Sequence, residues 1–422
     1  MSRVLIVTTT TGYQIRAFER AAAERGIELV YATDRCRTLD DPWQDQAVPI
    51  RFDDETGSLA AIRRRLGVGA LDGVIGLGDR ATTMAAAAAE AYGVPWHSPA
   101  SARVSRNKLL VRGALVAHGL PTPWFAEVGR DAGLADVAPR LRFPCVVKPL
   151  VLSGSRGVIR ANDVDGFVQA LARVRAILDE PDIRAMREPA AGSVLVEGFV
   201  SGPEYALEGV LDHGRLYVLA VFEKPDPLDG PYFEETIYVT PPRLSSETVQ
   251  HVARGVSAAC GAIGLTHGPV HAECRLNGGQ VFVHEAAARP IGGLCAQALR
   301  FVSDHGATQS LEALLLAHAT GTPLSRFYRE DATSGVMMVP IPRAGYFRAV
   351  HGVREASRVR GVDDVIVTAK PGQLLRPLPE GTSYLGFVFA RARTPDEVIA
   401  ALRAAHAHLE FDVDRALAVA RS

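Results

Sequence analysis

A hairpin that carries two carboxylates constrains this chain most. Gly268-Pro269-Val270-His271-Ala272-Glu273 and Val281-Phe282-Val283-His284-Glu285 are apolar runs that each end on a glutamate. Asn277-Gly278-Gly279 between them is a hairpin signal. Antiparallel pairing of the two runs brings Glu273 and Glu285 near each other. Two hard carboxylates side by side suit a divalent cation, and magnesium is usually held with the help of nucleotide phosphates. Arg289, four residues after Glu285, offers a fork of donors to a phosphate or an oxyanion. Taken alone, the same hairpin also reads as two exposed strands with ordinary surface charges.

Composition narrows the class. A length of 422 residues suits two or three domains. With 47% hydrophobic and 22% charged residues, a soluble globular protein with sizeable cores is expected. The net charge of −1 makes no electrostatic case for nucleic acid or an anionic membrane as partner. Cys36, Cys145, Cys260, Cys274 and Cys295 show no C-x-x-C spacing. They read as reduced core residues of a cytoplasmic protein, not as a disulfide frame or a zinc site. MSRVLIVTTTTGYQ has too short an apolar run for a signal peptide, and no stretch reaches the ~18 apolar residues of a membrane helix.

Along the chain, strands over 3–7, 27–32 and 73–77 alternate with helices over 17–25 and 58–66, with a turn from Thr8 to Gly12. This β-α-β-α-β order implies an open α/β sheet. Gly76-Leu77-Gly78-Asp79 lacks the third glycine of a dinucleotide fingerprint. It reads as a tight turn, or as a strand end where Asp79 touches substrate. Ser105-Arg106-Asn107-Lys108 opens a helix to His118. Phe143 to Pro149 is a strand with Lys148 near its end, where a lysine is costly unless paired. Ser153-Gly154-Ser155-Arg156-Gly157 follows. Such a loop can lay backbone N–H groups over phosphates, although the Walker order is absent. A helix over 163–178 is capped by Asp163 or Asn162. Strands over 193–200, 204–210 and 215–222 form an antiparallel sheet with the hairpin. Lys224 to Pro242 is a polar loop, long enough to be functional or mobile. Helices over 248–263 and 310–319, then a third unit of strands and one helix from about 331, complete the chain.

The ordered set of Lys108, Lys148 with Ser153–Gly157, Glu197-Gly198-Phe199-Val200 with Glu204, Glu273, and Glu285 with Arg289 resembles the ATP-grasp superfamily over nearly the whole chain. More narrowly it resembles the L-amino-acid ligases that make dipeptides. That likeness rests on Thr266 to Glu273, Arg289-Pro290-Ile291-Gly292-Gly293, Pro231 to Glu235, and a C-terminal unit with Gly352, Gly361 and Gly372 at its turns. The resemblance implies an α/β fold, α+β in part. Its parts would be an N-terminal open α/β domain (1–104), a two-part ATP-grasp domain (105–330, divided near 195) and a small C-terminal α+β domain (331–422). One departure is Ala287, where many members carry asparagine, and it leaves the number of metal ions open.

The resemblance also implies roles. ATP and magnesium, or manganese, are the expected cofactors. Lys108 and Lys148 would neutralise phosphates, and Ser153, Gly154, Ser155 and Gly157 would cover them. Glu197, Phe199 and Val200 would form the adenine hinge, and Glu204 would bind ribose. Glu273 and Glu285 would hold the metal. Arg289 would be catalytic, steadying the substrate carboxylate, the acyl phosphate and the oxyanion. Glu235 would meet a substrate ammonium, with His271, Gly292 and Gly293 lining the same pocket. The implied reaction is ADP-forming ligation of amino acids, with 224–242 as a lid. A carboxylase or purine-pathway ligase, or a non-catalytic ATP-binding regulator, are the alternatives. Homodimers are common among similar enzymes.

Overall fold

Strand β1 (Arg3–Thr8) lies at the heart of the first unit because Val4, Leu5, Ile6 and Val7 are apolar and all fully buried. A run apolar on both faces needs cover on both faces, which a parallel sheet with flanking helices supplies. The computed structural model describes residues 2–9, 14–34, 47–67, 69, 71–132 and 134–415. The turn expected through Gly12, and Cys36, lie outside these. Around β1 stand α1 (Ile15–Arg25), β2 (Glu28–Thr33), β3 (Val48–Pro49), α2 (Glu55–Leu66), β4 (Gly73–Leu77) and α3 (Thr82–Tyr92). The sheet order is β3-β2-β1-β4, all parallel. Asp79 follows β4 at the carboxyl edge of this sheet, where open α/β folds place ligands.

The helix expected to open at Ser105 is two helices. α4 (Pro99–Arg106) ends where Asn107 turns extended, and α5 (Lys108–Ala117) begins there. Asn107 Oδ1 accepts from the Leu109 and Leu110 N–H groups, so the N-cap sits two residues beyond the opening expected at Ser105. Lys108 is thereby fixed at the first position of α5.

A small antiparallel sheet follows, of order β5-β8-β6-β7. It comprises β5 (Phe125–Gly129), β6 (Cys145–Pro149), β7 (Ile159–Ala161) and β8 (Ser193–Gly198), with the one-turn helix α6 (Leu134–Val137) after β5. Helix α7 (Val164–Leu178) starts on an Asp163 cap and buries Phe167, Val174 and Ile177 against this sheet. One-turn helix α8 (Pro181–Arg184) follows.

The largest sheet has eight strands in the order β13-β12-β9-β10-β11-β17-β21-β19, every neighbour antiparallel. Its first part is β9 (Glu204–Asp212), β10 (Arg215–Glu223), β11 (Ile237–Thr240), helix α9 (Ser246–Ile263), β12 (Gly268–Asn277) and β13 (Gln280–Ala287). Then come β14 (Arg300–Ser303), β15 (Thr308–Ser310), α10 (Leu311–Ala319) and β16 (Phe327–Arg329). The C-terminal part is β17 (Thr333–Val339), β18 (Gly345–His351), α11 (Val353–Ala356), β19 (Val362–Val367), β20 (Leu374–Leu375), β21 (Gly386–Ala392), α12 (Pro395–His406) and β22 (Glu410–Asp414). α9 buries Val252, Val256 and Cys260 against the hairpin, and α12 buries Val398 and Leu402 against β17 and β21. Each such aliphatic residue contributes roughly 1.5–3 kcal/mol.

The polar loop expected over 224–242 is shorter than expected. Ile237-Tyr238-Val239-Thr240 is β11, buried at every position, paired along its length with β17 and through Val239 with Glu223 of β10. Four residues rich in β-formers outweigh the prolines around them. Cys145, Cys260, Cys274 and Cys295 are buried and unpaired. Among the described residues no helix is long and apolar enough to cross a membrane.

Candidate active site

The β12–β13 hairpin closes through Gly278 and Gly279, both at positive φ (55° and 76°), with Asn277 opposite Gln280. Two such residues make a primed turn whose twist suits the strands. The turn's register holds as far as Cys274 opposite Val283, and a bulge just beyond sets Glu273 opposite Glu285. Both line a cavity of about 630 Å³ between the N-terminal sheet, the small sheet and the large sheet. Every residue given a role above except Gly157 lines it.

Gly157 has a different task. Its N–H donates to the Pro379 carbonyl (2.9 Å), and a Cβ there would stand 2.8 Å from Pro149. With φ at 72° it lets the loop turn back over β6 without touching the cavity. Arg156 in the same loop bonds Glu180 and Asp182 (2.7 Å each), and Arg376 also bonds Glu180 (2.7 Å). The loop therefore lies shut against the segment leading to β21.

On the cationic wall, Lys108 Nζ donates to the Leu152 carbonyl (2.6 Å) and stands 3.9 Å from Glu285. Lys148 meets Glu197 at 2.5 Å. Burial lowers the Lys148 ammonium to about 8, against the pull of Glu197. Arg112 grips the same Glu197 through Nε (2.7 Å) and Nη2 (3.2 Å), and its Nη1 reaches the Val283 and His284 carbonyls. Burial disfavours a charged Glu197, but Arg112 and Lys148 overcome it and hold the carboxylate well below its usual range. The Glu197 side chain is thus held by Arg112 and Lys148 at the cavity wall. The Gly198 and Phe199 N–H groups donate to Trp124 and Pro144 (2.9 and 3.0 Å). Arg112 was missed from sequence; its position four residues after Lys108, on the same helix face in an apolar run, was the available signal.

On the acidic wall, the Lys224 ammonium sits among Glu204 (2.7 Å), Glu273 (3.1 Å) and Glu235, which it also hydrogen-bonds. Tyr238 donates to Glu235 (2.9 Å). Burial, then the neighbouring Glu273 charge, pushes the Glu235 carboxyl up to about 7. Glu204 is also held by Arg275 (2.8 Å). His271 Nδ1 bonds Glu208 (3.1 Å) and its Nε2 stands 3.6 Å from Glu273. Burial works against a charged His271, but those two carboxylates raise it to about 9. Glu208 accepts the Ile291 N–H (3.1 Å), which positions the Ile291-Gly292-Gly293 turn. Neither Lys224 nor Glu208 was singled out from sequence, since a lone charge at a strand end carries no local signal.

Arg289 joins the walls. Its Nε and Nη2 reach Asp79 (2.7 and 3.3 Å), and Nη2 stands 3.6 Å from Glu285. Burial opposes ionisation of Asp79, but Arg289 holds its carboxyl down at about 2. Of the two readings offered for the Gly78-Asp79 turn, the cavity-facing one describes where Asp79 lies, and its partner is Arg289.

A family model described as an ATP-grasp domain matches residues 141–298, and one described as L-amino acid ligase C-terminal domain 2 matches 337–414. The chain contains an ATP-grasp domain. Its fold is similar to the crystal structure of an L-amino acid ligase from Bacillus licheniformis, with a TM-score of 0.82 and 27% identity over 98% of this chain and 99% of that one. An uncharacterised protein of Sinorhizobium fredii is 27% identical over 304 residues, 71% of this chain and 60% of the relative. Carnosine synthase 1 of Homo sapiens is 27% identical over 239 residues, 54% of this chain and 28% of the relative. The matches thus span less than two thirds of these two relatives' own length. Within this ATP-grasp protein, Ala287 lies buried opposite His271, so the departure noted from sequence falls on the wall beside Glu285.

Proposed function

We propose that this ATP-grasp protein is an ADP-forming carboxylate–amine ligase that joins two amino acids, or an amino acid and an amine, through an acyl phosphate. The observation that carries the reading is Arg289, aimed by Asp79 at the meeting point of the lysine wall and the Glu273–Glu285 pair. A nucleotide sensor needs the lysines but has no use for a guanidinium beside them. The printed names of the similar proteins, an L-amino acid ligase and a carnosine synthase, support the same reading.

A substrate carboxylate oxygen attacks the γ-phosphorus of ATP, and ADP leaves. The amine nitrogen then attacks the acyl carbon, loses a proton, and phosphate leaves with the C–O bond pair. Lys108 and Lys148 offset phosphate charge, and Arg289 meets the oxyanion that develops at the acyl carbon. Glu235, with its carboxyl pushed up to about 7, suits the ammonium end of an amino acid and the proton it gives up. Glu273 and Glu285 fit a hard divalent cation: they are adjacent oxygen donors, and Glu273 is held well below the usual carboxylate range by Lys224 and His271 despite its burial. Magnesium there supplies further neutralisation of the phosphates. The Ser153–Gly157 loop, shut against the C-terminal part, excludes the water that would hydrolyse an acyl phosphate.

Phosphate release from ATP across pairs of amino acids, with products read by mass spectrometry, tests the reading. Release that requires two amino acids, and yields their amide, is expected. Release that depends on bicarbonate instead, or ATP binding without turnover on any pair, rejects it.

A further inference from the structure

At the far end of β9 from the cavity lies a second cluster of side chains. Glu204 opens β9 in the cavity wall and Asp212 closes it, roughly 25 Å away at the usual rise of a strand. His213 and Gly214 form the two-residue turn into β10, both at positive φ (48° and 84°). His267 lies just before β12, which pairs with β9, and His318 stands in the last turn of α10. Three separate elements therefore meet at Asp212.

The geometry is that of a ligand set lacking its centre. His267 Nδ1 and His318 Nε2 stand 3.4 and 3.7 Å from Asp212 Oδ1, and the three atoms lie within 4.8 Å of one another. Donors about 2.0–2.1 Å from zinc in a tetrahedral shell stand about 3.3 Å apart. His267 Nδ1 and His318 Nε2 are buried and have no hydrogen-bond partner among the described residues, while His318 as a whole is only 8% exposed. Buried polar atoms are normally satisfied, and two orphaned nitrogens facing one carboxylate point to something between them. The two rings stack with centroids 4.5 Å apart, so a small rotation brings both nitrogens to one point. His213 Nδ1 lies 2.8 Å from the same Asp212 oxygen on an exposed side chain, which leaves a path for an ion to enter.

We propose that Asp212, His267 and His318 bind a divalent transition-metal ion of the zinc type, with His213 or a water completing the shell. The ion would tie α10 to the ends of β9 and β12, remote from the Glu273–Glu285 pair and independent of the ligase reading. Nitrogen and oxygen donors in this ratio favour zinc or cobalt over magnesium, which takes oxygen alone.

The test uses tag-free full-length protein, stripped by chelator and titrated with Co2+. Four- or five-coordinate Co2+ on imidazole gives strong visible absorption, whereas Co2+ on carboxylates and water gives almost none. One equivalent of visible band is expected, displaced by one equivalent of Zn2+, absent from His267→Ala and His318→Ala, and retained in Glu285→Gln. Zn2+ is expected to raise the melting temperature of the wild-type protein and not that of Asp212→Asn. A wild-type protein without the band overturns the proposal whether or not the variants fold. A band that persists in both histidine variants also overturns it.

Discussion

Arg289 and Asp79 are 210 residues apart in sequence and meet as a two-point ion pair, Nε to Oδ1 at 2.7 Å and Nη2 to Oδ2 at 3.3 Å. One residue follows the hairpin, and the other follows the last strand of the N-terminal sheet. The pair fixes the angle at which a guanidinium enters the cavity.

Arg289→Ala is expected to keep ATP binding and to lower amide formation by about 10²–10³-fold, the usual loss for one oxyanion donor. Asp79→Asn leaves the guanidinium in place but unaimed, and a smaller loss in kcat with little change in nucleotide affinity is expected. Calorimetry for ATP, beside product formation, checks both. Near-normal turnover in Arg289→Ala would remove that residue from the mechanism.

Glu285→Gln removes one of the two facing carboxylates and the negative charge 3.9 Å from Lys108, while Arg289 keeps its pair with Asp79. Magnesium-dependent nucleotide binding is expected to weaken by about 10–100-fold or more. Magnesium titrations of nucleotide affinity read this directly, and an unchanged dependence refutes the metal assignment.

Arg112 is fully buried and its guanidinium spans Glu197 and two carbonyls of β13. Arg112→Met leaves Glu197 buried with Lys148 as its remaining cation, a change expected to cost about 3–5 kcal/mol of stability. Urea denaturation measures it. Arg112→Lys is expected to recover only part, because the three donors of an ammonium cannot span the four oxygens that the planar fork reaches. A variant as stable as wild type would mean that the Glu197 network is not structural.

His271 titrates near 9 in the folded protein, against an ordinary value near 6.5, because Glu208 and Glu273 overcome its burial. A raised histidine contributes its full stability below the unfolded value and loses it as pH rises through the folded one. The loss is therefore expected between about pH 6.5 and 9, on the order of 2–3 kcal/mol before the opposing cost of burying Glu208. Urea midpoints of wild type and His271→Gln across this range should converge toward the alkaline end. A constant gap between the two curves would count against the assignment.

Much of this was legible in the sequence. The hairpin turn follows from Asn277-Gly278-Gly279, though not the bulge that brings Glu273 opposite Glu285, the α7 start from Asp163, and the parallel sheet from short β-branched runs with helices between them. These signals are local in sequence. Lys224 among three carboxylates was not legible, because Glu204 and Glu273 reach it from strands 20 and 49 residues away. The grip of Arg112 on the Glu197 carboxylate was not legible, because no local pattern says which way a strand residue points until its neighbours are known. Asn107 was placed in the opening of a helix, but its role as the cap depends on where α4 ends, which apolar periodicity does not mark.

The position of β11 bears on how this protein can be cut. All four of its residues pair with β17 and Val239 pairs with Glu223 of β10, so the chain before residue 330 and the chain after it share one sheet. Removing residues 331–422 would strip β11 of its main partner and bare an apolar strand edge to solvent. Such edges recruit other edges. A shortened version would then be less a smaller enzyme than a seed for aggregation.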